Sequence, residues 1–339
     1  MREILVTGGA GFIGSHTCVA LINAGFRVVI LDNFCNSEKS AIDHIETIAG
    51  ARPELIKGDV RDRKLLREVF ASYTIDGVIH FAALKALGQS VRMPLEYFDC
   101  NVTGTLTLLQ EMRASGIKVF VFSSTAAVYG ERAQTPVEES FPLSATNPYA
   151  RSKIIVEEML DDLYCADSSW RIAKLRSFNP VGAHPSALLG ENPKGLPNNL
   201  MPIVAQVASG RRQGLSVFGN DYPTPDGTGV RDYLHVVDLA QGHVLALHYL
   251  GVHTDMLTVN LGTGKAYSVL DVIKAFEKAS GRRIDYRIAE RRPGDVAECW
   301  ALPTKAERVL GWKASKTLDE MCRDAWRWET AFTQNTSKG

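Results

Sequence analysis

Thr7-Gly8-Gly9-Ala10-Gly11-Phe12-Ile13-Gly14 joins a short apolar run, Ile4-Leu5-Val6, to a helical stretch predicted over Ile13–Ala24. Gly9, Gly11 and Gly14 fit G-x-G-x-x-G, and Gly8, Gly11 and Gly14 fit the wider G-x-x-G-x-x-G. Glycines here permit a tight turn, close approach of the backbone to a diphosphate, and close packing of helix on strand. The helix N-terminus then turns its partial positive charge toward the phosphates. A plain strand–helix loop is the alternative, and the glycines alone would leave it open. The strand–turn–helix context favours a dinucleotide site.

The next strand, Val28–Leu31, ends at Asp32, the spacing expected of an acid that accepts hydrogen bonds from an adenosine ribose. A carboxylate there repels a 2′-phosphate, and no Arg or Lys follows until Lys39, so NAD is favoured over NADP. Asp59, after the third strand in Gly58-Asp59-Val60, is placed to meet the adenine edge; a solvated turn acid is the other reading.

Working outward, Gly77–Phe81, Val119–Phe122 and Ile172–Arg176 are further near-continuous apolar strands separated by helical stretches. That pattern marks a parallel sheet covered on both faces, the α/β class of Rossmann-type doubly wound folds. The beat breaks after about residue 180. Pro180–Gly229 is rich in Gly, Pro and Asn and reads as loops with one helix near Leu200–Ala208. Arg231–His248 turns from strand-like to helical, Leu257–Leu261 is a strand and Val269–Ala279 a helix. The expected division is a Rossmann domain of residues 1–178 plus about 236–262, and a smaller C-terminal α/β substrate domain of about 179–235 plus 263–332. Residues 333–339 form a polar tail expected to fray.

The 339 residues are 45% hydrophobic and 22% charged, enough for a sizeable core. Lys+Arg and Asp+Glu are both 38, so no net field draws the chain to nucleic acid or an anionic membrane. Six scattered cysteines lack a C-x-x-C pair, which argues against a disulfide framework and a zinc site; no metal is expected. No signal-peptide core or membrane-spanning apolar stretch is found, and a cytoplasmic location is the default expectation.

Tyr149-Ala150-Arg151-Ser152-Lys153 sets Tyr and Lys four residues apart, on one helical face. An ordinary phenol, with a pKa of about 10, is a poor base near neutrality. A neighbouring ammonium and a positive nicotinamide ring both favour the phenolate. Tyr149 can then take a hydroxyl proton while hydride leaves the same carbon. Such a pair also arises by chance on exposed helices. Its place after Val119–Phe122 and the hydroxyl-rich Ser123-Ser124-Thr125 argues for a site. The Thr125 hydroxyl can steady the transferring proton, or it can merely cap the strand end.

These stretches together carry a specific resemblance. TGGAGFIGSH (7–16), LDNFCNS (31–37), HFAALKA (80–86), SSTAAVYG (123–130) and YARSK (149–153) are joined by RSFNPVGAHPS (176–186), PNNLMP (197–202), FGNDYPTPDGTGVRDY (218–233) and RRPGD (291–295). The chain resembles the extended short-chain dehydrogenase/reductases and, within them, the UDP-glucose 4-epimerase family over nearly its whole length. The resemblance implies tightly bound, recycled NAD. It also implies that Tyr149 takes the sugar 4′-hydroxyl proton, that a 4-keto sugar turns over in the pocket, and that the C4 epimer is released.

Carried onto this chain, the catalytic residues are Tyr149, Lys153 and Thr125. Cofactor contacts fall on Gly8, Gly11, Phe12, Ile13 and Gly14, on Asp32, Asn33, Cys35, Asn36 and Ser37, and on Asp59 and Val60. They continue to Phe81, Ala82, Lys85, Tyr149, Lys153 and Phe178, with Lys85 reaching the pyrophosphate. The UDP-sugar would meet Lys85, Thr125 and Tyr149. Arg231 and Arg292 would grip the diphosphate bidentately, a task that suits guanidinium better than ammonium, although either could instead form a surface ion pair. Asp295 would meet the uridine ribose and Asn179 and Asn199 the phosphate and sugar. Phe218 and Tyr233 would form walls, with Leu200, Ser216 and Cys299 completing the set. A homodimer is implied, with Pro94–Thr107 and the Tyr149 helix as candidate interface.

Three departures from the family matter. Cys100 replaces a frequent Asn, so no cofactor contact is assigned there and Asn101 is left open. Thr125 replaces a frequent Ser. Cys299 stands where some relatives carry a Tyr that crowds the sugar's C2 substituent, which implies activity on UDP-GlcNAc and UDP-GalNAc as well. The rival chemistries are a 4,6-dehydratase, disfavoured because Ala126-Ala127 offers no carboxylate, and a net dehydrogenase. A non-catalytic NAD-sensing protein is the rival from another class.

Overall fold

The computed structural model describes residues 2–131, 134–195, 197, 199–292 and 295–336. The chain opens with β1 (Glu3–Thr7), α1 (Phe12–Asn23), β2 (Arg27–Asp32), α2 (Ser40–Ala49), β3 (Glu54–Lys57), α3 (Arg63–Ser72) and β4 (Ile75–His80). Two short helices, α4 (Leu87–Arg92) and α5 (Pro94–Phe98), lead through a π-helical turn at Asp99–Thr103 into α6 (Gly104–Ala114). Then come β5 (Val119–Thr125), α7 (Pro148–Ala166) and β6 (Arg171–Ser177).

The connection beyond is less regular: β7 (Asn179–Val181), α8 (Leu200–Ala208), β8 (Leu215–Phe218), β9 (Val230–Arg231) and β10 (Tyr233–His235). The stretch expected to be loops with one helix therefore contains short strands too. They are too brief for their periodicity to show. α9 (Val236–Val252) and β11 (Met256–Leu261) follow, then β12 (Tyr267–Ser268), α10 (Val269–Ser280), β13 (Tyr286–Ala289), β14 (Glu298–Cys299), α11 (Thr304–Leu310) and α12 (Leu318–Thr336). α12 stays helical through Thr336, so fraying from Thr333 is not what the structure shows; residues 337–339 lie outside the described residues.

Seven parallel strands form the main sheet in the order β11-β6-β5-β4-β1-β2-β3. Alternate residues of one strand go to opposite faces. Ile4 and Val6 of β1 join a core with α1, α2 and α9, whereas Leu5 joins a core with α3, α6 and α7. Burial on both faces explains why the strands read as continuous apolar runs. A third core gathers α8, α10 and α12 against β8, and carries the smaller lobe. The strand order reverses between β1 and β4, and crevices at the carboxyl ends of strands flanking such a point hold ligands in this architecture.

Candidate active site

A cavity of about 300 Å³ opens at that crevice. Its floor is the turn from β1 into α1. Gly8 adopts φ +70°, where a side chain would be strained. A Cβ on Gly14 would come within 2.2 Å of the Gly8 carbonyl oxygen, so only glycine lets α1 start this close to the turn. α1 begins at Phe12 behind Gly11, with no side-chain cap and no acid in its first turn. Its leading N–H groups lack intrahelical partners, and the cavity is lined by Gly11, Phe12, Ile13 and Gly14. Uncapped donors plus the helix dipole suit a diphosphate.

Asp32 is buried at the end of β2 and also lines the cavity. It accepts from Ala10 N at 3.0 Å, Phe34 N at 2.8 Å and Ser37 Oγ at 2.9 Å, which fixes the carboxylate in position. Asn33, Cys35, Asn36 and Ser37 line the same wall. Asp59 lines it too; Arg61, with help from Asn33 Nδ2 at 2.8 Å, holds its carboxyl well below the usual range despite partial burial. It is thus a braced anion facing the cavity as well as a turn acid. Val60, Phe81, Ala82 and Lys85 of the expected set line this wall as well.

The end of the cavity that carries the Tyr149–Lys153 pair is built on α7. The Asn147 side chain caps it by accepting from Ala150 N at 2.9 Å, and Pro148 sits in its first turn. This start sets the helical phase, and Tyr149 and Lys153 both reach the cavity. Burial pushes the Tyr149 phenol up to about 12, and a hydrogen bond from Thr125 offsets this in part. Thr125 ends β5, where its Oγ1 also accepts from Ala127 N at 3.2 Å, the capping use foreseen for this hydroxyl.

Lys153 is buried, and its Nζ donates to the Ser123 carbonyl at 2.9 Å. Burial lowers its ammonium from 10.5 to about 8. The expectation that this ammonium depresses the Tyr149 pKa is not met by the protein alone, because the ammonium is engaged on β5 and burial dominates the phenol.

Two cofactor expectations change. The Phe178 side chain is buried in a core with Val128, Tyr129 and Val137, and its N–H bonds to Leu261 O at 3.0 Å, so it forms no part of the cavity wall. Cys100, to which no contact was assigned, does line the cavity. Asn101, left open, is a buried brace: its side chain bonds both backbone groups of Leu84 and the Ser152 hydroxyl.

Beyond Lys85, Thr125 and Tyr149, the residues expected to hold the UDP-sugar lie on the smaller lobe. The Arg292 guanidinium lies 4.6 Å above the Phe218 ring and pairs with Asp295 at 3.0 Å. Pro293 and Gly294 between them, and Asn198 of the PNNLMP stretch, lie outside the described residues. Pairing of β9 with β14 sets Arg231 opposite Cys299, and Arg231 Nη1 donates to Val230 O at 2.8 Å. Asn179 pairs with Tyr233 across β7 and β10. The Tyr233 ring is buried in the core of the lobe, which pushes its phenol up to about 12; it is a core residue rather than an open wall. Leu200 packs on the same core, and Ser216 Oγ accepts from Arg287 Nε at 3.3 Å. Asn199 precedes α8 and donates to Glu191 at 2.7 Å.

Sequence reasoning passed over Glu191, which lies between two of the recognised stretches and lines the cavity beside Lys85. It also passed over Trp328 and Phe332 of α12, which reach the cavity from the far end of the chain; no local pattern marks them. Among the described residues no cluster of potential metal ligands is present, and no helix is long and apolar enough to cross a membrane.

A switch-point crevice with a glycine turn, a braced acid and a Tyr–Lys pair is the site architecture of the extended short-chain dehydrogenase/reductases. The chain matches the family described as GDP-mannose 4,6 dehydratase over residues 5–325. It is 56% identical over 328 residues to a UDP-glucose 4-epimerase of Bacillus subtilis, covering 97% of each chain. A solved UDP-glucose 4-epimerase of Stenotrophomonas maltophila, with bound NAD and formylated UDP-arabinopyranose, superposes with a TM-score of 0.97. The two are 49% identical, over 99% of this chain and 100% of that one. The Bifidobacterium longum enzyme, in complex with NAD+ and UDP, gives 0.94 at 51% identity, over 97% and 98% of the chains. The chain belongs to the UDP-glucose 4-epimerase family.

Proposed function

We propose that this protein interconverts UDP-glucose and UDP-galactose by C4 epimerisation, with NAD held in the cavity throughout turnover. One observation carries the reading: the uncapped α1 N-terminus, the braced Asp32 and the Tyr149–Lys153 pair share a single cavity. The donors of α1 would hold the pyrophosphate, Asp32 the adenosine ribose, and Lys85 a phosphate oxygen. Bound NAD would supply the hydride acceptor and donor and, when oxidised, the positive charge that Tyr149 needs.

Tyr149 would take the 4′-hydroxyl proton as the C4 hydride is given up. It would return that proton to the 4′-oxygen when, after the 4-keto sugar has turned over, the hydride comes back to the opposite face of C4. Thr125 donates to the phenolic oxygen and so favours its anion. Lys153, anchored on Ser123, adds buried positive charge nearby. Arg231 and Arg292 are the candidate diphosphate grips, with Phe218 offering a face for the uracil once Arg292 swings to phosphate. The matched family's description raises 4,6-dehydration. Ala126 and Ala127 follow β5 where that elimination would want an acid or base, and this favours epimerisation.

The finer assignments rest on particular features. Cys299 in place of a bulky side chain supports N-acetylhexosamine substrates. Leu87, Val91, Leu95 and Leu106 are exposed apolar residues on α4, α5 and α6, which supports a homodimer through this face. Six free thiols suit a reducing compartment such as the cytoplasm. The separate core of α8, α10 and α12 supports a UDP-sugar domain of about 179–235 plus 263–332, beside an NAD domain of 1–178 plus about 236–262.

The test is conversion of UDP-galactose to UDP-glucose by purified protein with no nucleotide added. Conversion supports epimerisation with resident NAD; silence even with added NAD and folded protein overturns it.

A further inference from the structure

The connection from β7 to α8 crosses the cavity, and residues 187–193 form one of its walls. Ala187 adopts φ +61°, a strained value for a residue with a Cβ. The turn is fastened by Ala187 N to His184 O at 2.9 Å and His184 N to Leu189 O at 2.8 Å. Gly190 lies flat against α12: a Cβ there would come within 2.4 Å of the Trp328 indole.

The segment is then tied down on both sides of the cavity. Toward the loop after β2, Asn192 Nδ2 donates to Glu38 Oε1 at 2.9 Å, Lys194 N to Asn36 Oδ1 at 3.0 Å, and Lys194 Nζ to Phe34 O at 2.6 Å. Toward the loop after β4, Glu191 Oε1 accepts from Lys85 Nζ at 2.9 Å and from Asn199 Nδ2 at 2.7 Å. One buried carboxylate oxygen thus joins a lysine of the cofactor wall to the residue that starts α8.

We propose that Ala187–Lys194 is a retention strap for the dinucleotide, tied across the cavity by Lys194 and Asn192 on one side and by Glu191 on the other. It rests on the reading that NAD is the resident ligand. A ligand seated on the α1 N-terminus and Asp32 lies beneath the strap, and leaves only when the ties to residues 34–38 part. On the side of residues 34–38, retention then depends on contacts that touch neither the nicotinamide nor the sugar. Glu191 acts as a positioning residue, holding Lys85 and Asn199 at fixed places on either side.

The experiment measures NAD remaining on the full-length protein at intervals after transfer to nucleotide-free buffer. Lys194→Ala, at an exposed position, is expected to lose NAD about tenfold faster than the wild type, as loss of one charge-assisted hydrogen bond implies. Its turnover should return to the wild-type value when NAD is supplied in excess. Glu191→Gln, which keeps the bond from Asn199 but drops the charge, is expected to release NAD faster as well. Release rates within twofold of wild type for both variants overturn the strap while leaving the proposed function standing. A wild-type protein that holds no NAD overturns the proposed function, and the strap with it, before any variant is compared.

Discussion

Lys153 Nζ lies 2.9 Å from the Ser123 carbonyl oxygen, so α7, which carries the proposed catalytic pair, is pinned to the end of β5 by the ammonium assigned to the proposed chemistry. Burial lowers this ammonium from 10.5 to about 8. Above that pH it deprotonates, losing its charge at the site. Turnover is expected to fall as pH rises through about 8. Stability should move the other way: between about 8 and 10.5 the unfolded chain binds more protons than the folded one, so this group favours folding as pH rises. A pH–rate profile with thermal melts at the same pH values checks this, and parallel loss of both would refute it.

Tyr149→Phe removes the proposed proton acceptor and leaves the wall of the cavity in place. Turnover should drop about 10²–10⁴-fold. NAD content, read after denaturation, should match the wild type. Activity close to the wild-type rate would strip Tyr149 of its role.

Gly14→Ala sets a methyl group 2.2 Å from the Gly8 carbonyl oxygen, against Gly8–Gly9 backbone and with no flexible side chain to give way. The turn must shift, at a cost of about 1–3 kcal/mol. Bound NAD should be lost with it. Normal NAD content and an unchanged unfolding midpoint would show that the turn adapts.

Arg176 and Glu157 form a buried ion pair, 2.6 Å apart between β6 and α7, and Glu157 also accepts from Ser124 Oγ at 2.5 Å. Removing one partner leaves an uncompensated buried charge, a loss of about 3–5 kcal/mol. Arg176→Met should show it in denaturant unfolding. Pairing that change with Glu157→Gln should cost less than the two single changes summed.

Cys299 pairs in register with Arg231 across β14 and β9. Cys299→Tyr adds bulk at the expected sugar pocket and should abolish UDP-GlcNAc turnover while sparing UDP-galactose. Wild-type protein inert toward UDP-GlcNAc would remove the proposal at its root.

What could be read locally was read from the chain itself. The turn at residues 7–14, Asp32 closing β2 and the Tyr149–Lys153 spacing each depend on a few consecutive residues, because glycine geometry and helical phase are local properties. Apolar runs betrayed strands buried on both faces for the same reason. The three- and two-residue strands β7 and β9 left no period to detect. That Thr333–Thr336 continues α12 was equally hidden, since a polar composition does not distinguish a helix's last turn from a tail.

Tertiary structure alone decided which groups meet. Lys85 and Glu191 are 106 residues apart in the chain and 2.9 Å apart in the fold. Trp328 and Gly190 come into contact only because α12 packs back across the β7–α8 connection. The Lys153 ammonium turned to a carbonyl on β5, and Phe178 turned into the core, under the demands of packing and of satisfying buried polar groups. Sequence determined the chemistry on offer, because residue type and local spacing set it. Only the folded chain decided the partners, because burial and hydrogen-bond satisfaction are settled among distant segments at once.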